Sequence, residues 1–115
     1  MTDLQGFLQN LQQHPEAVEF ADTIAVIEAA YVYTPAAFRN GDVHNAAGQN
    51  GGSCKIFAFA RLQRLSEAQT LACFGRYYRD DVLQHPDNSD HPNIRNFMRS
   101  GWAGVHFESD ALQPR

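Results

Sequence analysis

The stretch Ser53-Cys-Lys-Ile-Phe-Ala-Phe-Ala-Arg-Leu62 decides the fold. Ile56, Phe57, Phe59, Ala60 and Leu62 recur at helical spacing, but they cover more of the helix circumference than the single apolar stripe of a surface helix. A helix of that kind has to be covered by other elements, so this segment predicts a central helix, with Ser53 available as its N-cap. The chain can supply the cover. It has 115 residues, 43% of them hydrophobic, 11% aromatic and 19% charged. Those proportions exclude a disordered or low-complexity chain and match one domain spanning residues 1–115.

Working toward the C-terminus, Ser66-Glu-Ala-Gln69 has the form of a capping box. Leu71, Phe74, Tyr78 and Val82 follow at spacings of three and four, which predicts one helix over 67–84. The polar cluster His85-Pro-Asp-Asn-Ser-Asp-His-Pro92 then turns the chain, and a short helix from Pro92 to Arg99 stops at Gly101. Toward the N-terminus, Leu4, Phe7, Leu8 and Leu11 line one helix face, with Asp3 as N-cap and His14 before Pro15 as the end. Residues 15–30 read as helical with a break near Ala21-Asp22, where Asp22 caps a second piece. Tyr31-Val-Tyr-Thr34 is β-branched or aromatic and meets Pro35, as a short edge strand does. Its predicted partner is Trp102 to Phe107. The fold expected is α+β, predominantly helical, with a small antiparallel β pairing; Leu62, Tyr78 and Trp102 are counted in its core beside Phe57, Phe74 and Phe97.

Charge narrows the functions. Thirteen acids against nine bases give a net charge of -4, which argues against duplex nucleic acid as a partner, since that binding rests on neutralising phosphates. Residues 1–54 carry six acids and one base, whereas residues 55–99 carry seven bases and five acids. Any anion site is therefore expected to lie in the second part. No basic stretch followed by an apolar run opens the chain, and no apolar run approaches about 18 residues, so neither an export signal nor a membrane span is expected. The expected location is the cytoplasm. Two cysteines without a Cys-x-x-Cys pair suit reduced thiols better than a disulfide scaffold or a structural zinc site, and no cofactor is expected.

Residues 39–53 are the first suspect for function. Fifteen residues with four Gly and three Asn show neither helical nor strand period, and unstructured connections of that length in compact domains are often functional. Gly48-Gln-Asn-Gly-Gly-Ser-Cys-Lys55 invites comparison with a phosphate-binding loop. The match fails, because Ser53 stands where the second Gly is needed and no buried strand precedes it. What survives is a glycine-rich turn offering amides at a helix N-terminus, where negative charge is favoured. Asn40, Asn45, Asn50, Gly52 and Ser53 would line such a site, with Lys55, Arg95 and Arg99 giving positive charge. The competing reading is that these asparagines and glycines only satisfy turns and caps. Asp42, His44 and Cys54 form a second candidate, a metal or thiol site, at a spacing that is not diagnostic. Arg76 and Arg79 are expected to pair with Asp80, Asp81 or Glu67 on solvated faces. His106, alternating with Val105 and Phe107, is expected to face water.

Three strings carry a family resemblance: Gly52-Ser-Cys-Lys-Ile-Phe-Ala-Phe-Ala60, Gln69-Thr-Leu-Ala-Cys-Phe-Gly-Arg-Tyr-Tyr-Arg-Asp-Asp-Val-Leu83 and His91-Pro-Asn-Ile-Arg-Asn-Phe-Met98. With Thr34-Pro-Ala-Ala-Phe-Arg-Asn-Gly41 upstream and Gly101-Trp-Ala-Gly104 downstream, the chain resembles the HopJ type III effector family over nearly its whole length. The resemblance implies proteins proposed to be injected into plant cells, hence a location in host cells, and it brings no catalytic residue or substrate. The chain starts a helix at Leu4 in place of the mobile Ser-rich leader of an injected effector, which suits a housekeeping role equally. From the residues themselves, the leading expectation is a module that binds a protein or an anionic small molecule without doing chemistry. The rival is a small enzyme or metal protein built on Asp42, His44 and Cys54.

Overall fold

In the computed structural model, which describes residues 3–115, the chain opens with helix α1 (Leu4–Gln13). The Asp3 carboxylate accepts from the Gly6 amide at 2.6 Å, and Phe7 and Leu11 face inward. After one 3-10 turn (Pro15–Ala17), helix α2 runs from Phe20 to Ala30. The break therefore lies at Val18-Glu19 and not at Ala21-Asp22. Asp22 sits inside the first turn of α2, where its carboxylate reaches back to the Glu19 amide at 3.3 Å.

Among the described residues, five three-residue strands make two small antiparallel sheets. Strand β1 (Tyr31–Tyr33) pairs with the last strand, β5 (Leu112–Pro114). In the second sheet β2 (Phe38–Asn40) lies between β3 (Val43–Asn45) and β4 (Val105–Phe107). The expected pairing of Tyr31–Thr34 with residues 102–107 is thus overturned, and each of those segments takes a different partner. The reason is the hairpin β2–β3, hidden in the stretch read as structureless. Gly41 at φ +59° begins its two-residue turn, and a glycine there suits the right-handed twist of the flanking strands. β2 then supplies the ladder on which β4 closes.

Helix α3 (Gly51–Leu62) is the central element: Ile56, Phe57, Phe59 and Ala60 are completely enclosed. Phe57 touches the rings of Phe38, Phe74, Phe97 and Trp102 at centroid distances of 5.0 to 6.4 Å. α3 begins at Gly51, so its N-cap is Asn50, in the left-handed region at φ 49°, and not Ser53. At the other end, Leu62 is 52% exposed and leaves the expected core, while Leu8, Tyr78 and Trp102 are only partly buried against it.

The helix expected over 67–84 is two pieces. Helix α4 (Glu67–Ala72) starts at the capping box, where Ser66 Oγ accepts from the Gln69 amide at 3.1 Å and Gln69 Oε1 accepts from the Ser66 amide at 3.0 Å. The chain then turns at Gly75, and a π-helical turn covers Tyr77–Val82. Helix α5 (Pro92–Ser100) follows, ends at Gly101 as expected, and runs through a 3-10 turn (Gly101–Gly104) into β4. Apolar spacing survives the break, since Leu71, Phe74 and Val82 are all buried, so periodicity alone could not reveal it. Gly75 is required for two reasons. Its φ is +60°, and a Cβ there would lie 2.6 Å from the Phe20 amide nitrogen and 3.0 Å from Glu19 backbone atoms. The N-terminus of α2 rests directly on the turn. Arg76 and Arg79 both reach Glu19, at 3.2 and 2.7 Å, in place of the partners expected at Glu67, Asp80 or Asp81.

Gly75→Ala should therefore cost about 3 kcal/mol, from left-handed strain plus a backbone contact that no side-chain motion can relieve. Urea unfolding measures it; a loss under about 1 kcal/mol would mean that the turn can rearrange.

Candidate functional site

The stretch expected to form an open ligand cavity instead has a polar interior. Asn40, Asn45 and Asn93 are almost completely buried. Alternation along β2 and β3 turns Asn40 and Asn45 inward, and the start of α5 places Asn93 opposite them. Asn45 and Asn93 form a reciprocal amide pair, with Asn93 Nδ2 donating to Asn45 Oδ1 at 3.0 Å and Asn45 Nδ2 to Asn93 Oδ1 at 3.2 Å. Asn40 Nδ2 donates to the Asn93 carbonyl at 2.7 Å and to its Oδ1 at 3.1 Å. Asn50, at the start of α3, donates from Nδ2 to Asn45 Oδ1 at 2.6 Å. Hairpin, α3 and α5 are thus joined by a single knot of amides. Asn40 Oδ1 is buried without a partner among the described residues. Its amide cannot be reversed, because that would aim the oxygen at the Asn93 carbonyl. These contacts support the competing reading of the asparagines, as satisfiers of the fold's own turns and helix ends.

The positive charges expected at that cavity are engaged elsewhere. Lys55 Nζ pairs with Glu28 at 3.5 Å and lies over the Tyr33 ring at 4.8 Å. Arg95 is 11% exposed and organises the 81–91 loop, donating to Asp90 Oδ1 and to the Asp90 carbonyl, each at 2.6 Å. That guanidinium holds the Asp90 carboxyl below the usual carboxylate range. Arg99 donates to Asn96 Oδ1 at 2.9 Å, on the outer side of α5. Gly52 meets the Phe20 ring, 2.8 Å from where its Cβ would be, and Ser53 is half-buried within α3.

The alternative set Asp42, His44 and Cys54 is not brought together. Cys54 is buried with Sγ 3.6 Å from the Ala36 carbonyl, and burial pushes its thiol pKa up; Cys73 is enclosed more deeply, and burial takes it to about 12. Neither thiol is primed as a nucleophile or a ligand. His44 faces outward from the sheet. Asp81, Asp90 and His91 do offer ligand atoms within 4.8 Å of one another. Those carboxylates already face the protein's own donors, since His91 Nε2 lies 2.9 Å from Asp81 Oδ2 and Arg95 holds Asp90.

What sequence reading missed is the outer face of the β3–β2–β4 sheet. Register sets Arg39 opposite His44 on one side and opposite His106 on the other. All three are exposed, while Phe38, Asn40, Asn45 and Val105 point inward. Directly opposed residues have Cβ atoms about 5 Å apart, so the three side chains form one row across three strands. They border a trough of about 580 Å³ whose lining includes Ala37, Ala46, Gln49 and Glu108. No carboxylate lies within ion-pair reach of Arg39 among the described residues. The signal was Gly41-Asp42, a two-residue hairpin turn with glycine first, flanked by alternating residues; with that hairpin in place, Arg39 and His44 necessarily share a face.

The family model for the HopJ type III effector protein matches residues 4–112. The crystal structure titled as that of the unknown function protein VPA0580 is 57% identical and covers 99% of this chain and 95% of its own, with a TM-score of 0.98. No curated protein matches. No described helix is long and apolar enough to cross a membrane.

If the asparagine knot is structural, Asn93→Ala should destabilise the fold by about 2 kcal/mol, because it removes both halves of the buried amide pair with Asn45 and one of the two acceptors of Asn40 Nδ2, which keeps only the Asn93 backbone carbonyl. Denaturant unfolding checks this, and a change under about 0.5 kcal/mol would remove the knot from the account.

Proposed function

We propose that this chain, which belongs to the HopJ type III effector family, is a binding module that recognises an anionic small molecule or an anionic patch on a protein and performs no chemistry of its own. The observation that carries this reading is the row His44–Arg39–His106, three exposed donors in register on a sheet face and bordering a trough. The potential nucleophiles support it from the other side: both thiols are buried, and burial raises their pKa values. An enzyme or metal protein built on Asp42, His44 and Cys54 is the weaker reading, since the sulfur lies inside the core and the imidazole outside it. The family name supports delivery into a host cell, as a proposal beside a cytoplasmic role, and the sheet face would serve in either place.

An amide-shift NMR screen of labelled protein against pooled metabolites, inorganic phosphate and divalent metals tests this reading. Perturbations should gather at residues 37–49 and 104–108. Shifts confined to Asp81, Asp90 and His91 on adding a divalent metal would favour a metal protein, and shifts confined to helix faces would remove the sheet from consideration.

A further inference from the structure

We infer that the trough on the three-stranded sheet takes a tetrahedral oxyanion, a phosphoryl or sulfuryl group, held by Arg39 between His44 and His106, and that binding tightens when the two imidazoles are protonated. This rests on the binding-module reading above and adds to it the ligand's chemistry and its control.

Donor count and charge carry the inference. A carboxylate held by one guanidinium fork keeps its remaining lone pairs in the plane of that fork and brings a single negative charge to share among the three donors. A tetrahedral dianion offers a third oxygen and a second negative charge, so it can bridge Arg39 and a flanking imidazole together. The floor beside the row is made by Ala37 and Ala46, whose short side chains leave room for the anion and its substituent.

The groups around the row decide the pH dependence. Asp42 lies in the hairpin turn two residues before His44, and Glu108, which lines the trough, lies two residues after His106. Gln49 is neutral, and its Oε1 is occupied by the Ala46 amide at 2.9 Å. With both imidazoles neutral, one guanidinium stands against two carboxylates, and the face repels an anion. With both protonated, three cations stand against the same two carboxylates, and the face attracts one. Protonation of the two imidazoles therefore reverses the local sign of charge.

Sulfate is the suitable probe, since it is a tetrahedral dianion throughout this range and its own titration does not confuse the result. Amide-shift titrations with sulfate and with acetate, at constant ionic strength set with chloride, would be run at about pH 5.5 and about pH 7.5, on either side of ordinary imidazole titration. The native protein and the variants Arg39→Ala and His44→Gln/His106→Gln would be compared. Sulfate should move the amides of Arg39, His44 and His106, and should bind at least about tenfold more tightly at the lower pH, which corresponds to a difference of about 1.4 kcal/mol. Acetate should bind several-fold more weakly, Arg39→Ala should abolish the effect, and the double histidine variant should bind weakly and equally at both pH values. Equal sulfate affinity at both pH values, acetate binding as tight as sulfate, or shifts centred elsewhere would each overturn the inference. If the pooled screen finds a ligand on this face whose affinity ignores pH, the inference fails and the binding-module reading stands. If nothing binds this face, both fail.

Discussion

Helix α3 carries Ile56, Phe57, Phe59 and Ala60 on different sides of one short cylinder, and burying all of them dictates the rest of the architecture. A helix that is apolar all round cannot rest on a surface; it must be enclosed. α1 and α2, α4 with α5, and the two small sheets each cover part of it. Aromatic contacts concentrate at its middle, where Phe57 meets four rings and Phe59 meets Phe7 at 5.9 Å and Tyr31 at 6.1 Å. Fully buried aromatics of this kind contribute about 3 to 5 kcal/mol each when judged by truncation. Elsewhere the chain follows this requirement, including the break at Gly75, which lets the π-helical turn pass beneath the start of α2.

The second constraint is polar. Three-residue strands gain little stability from their ladders alone, so the β2–β3 hairpin needs another attachment, and the amides of Asn40, Asn45, Asn50 and Asn93 provide it. With the inner face of the hairpin fixed in this way, the outer face is free to carry residues that do nothing for the fold. Arg39, His44 and His106 stand there. Structure and proposed function are therefore divided between two sides of one sheet, separated by the strict alternation of a strand.

Much of the fold was legible in the sequence. α1, the capping box at Ser66, α5 with its stop at Gly101, and the central helix follow from local spacing and cap chemistry, because those elements are set by neighbours within four residues. The strand pairings were not legible. Tyr31–Tyr33 finds Leu112–Pro114, and Val105–Phe107 finds Phe38–Asn40, and segments so short contain too few side chains to specify a partner. The site was legible in part. Residues 40–53 stood out by composition, but composition could not distinguish asparagines that bind a ligand from asparagines that bind one another, nor reveal the β2–β3 hairpin. Arg95 looked available because its partner, Asp90, lies in a turn whose shape no periodicity encodes. His106 was correctly placed facing water, but its alignment with Arg39 and His44 depends on the undetected hairpin.

Residues 38–45 form a locked hairpin whose inner side belongs to the core, and not a mobile functional loop. Native-state hydrogen exchange tests this most directly, because it measures opening residue by residue. The hydrogen-bonded amides of the β2–β3 and β2–β4 ladders should open with a free energy within about 1 to 2 kcal/mol of the Ile56–Ala60 amides of α3, as parts of one cooperative unit. Exchange of residues 38–45 with an opening free energy near zero, while α3 stays protected, would contradict it.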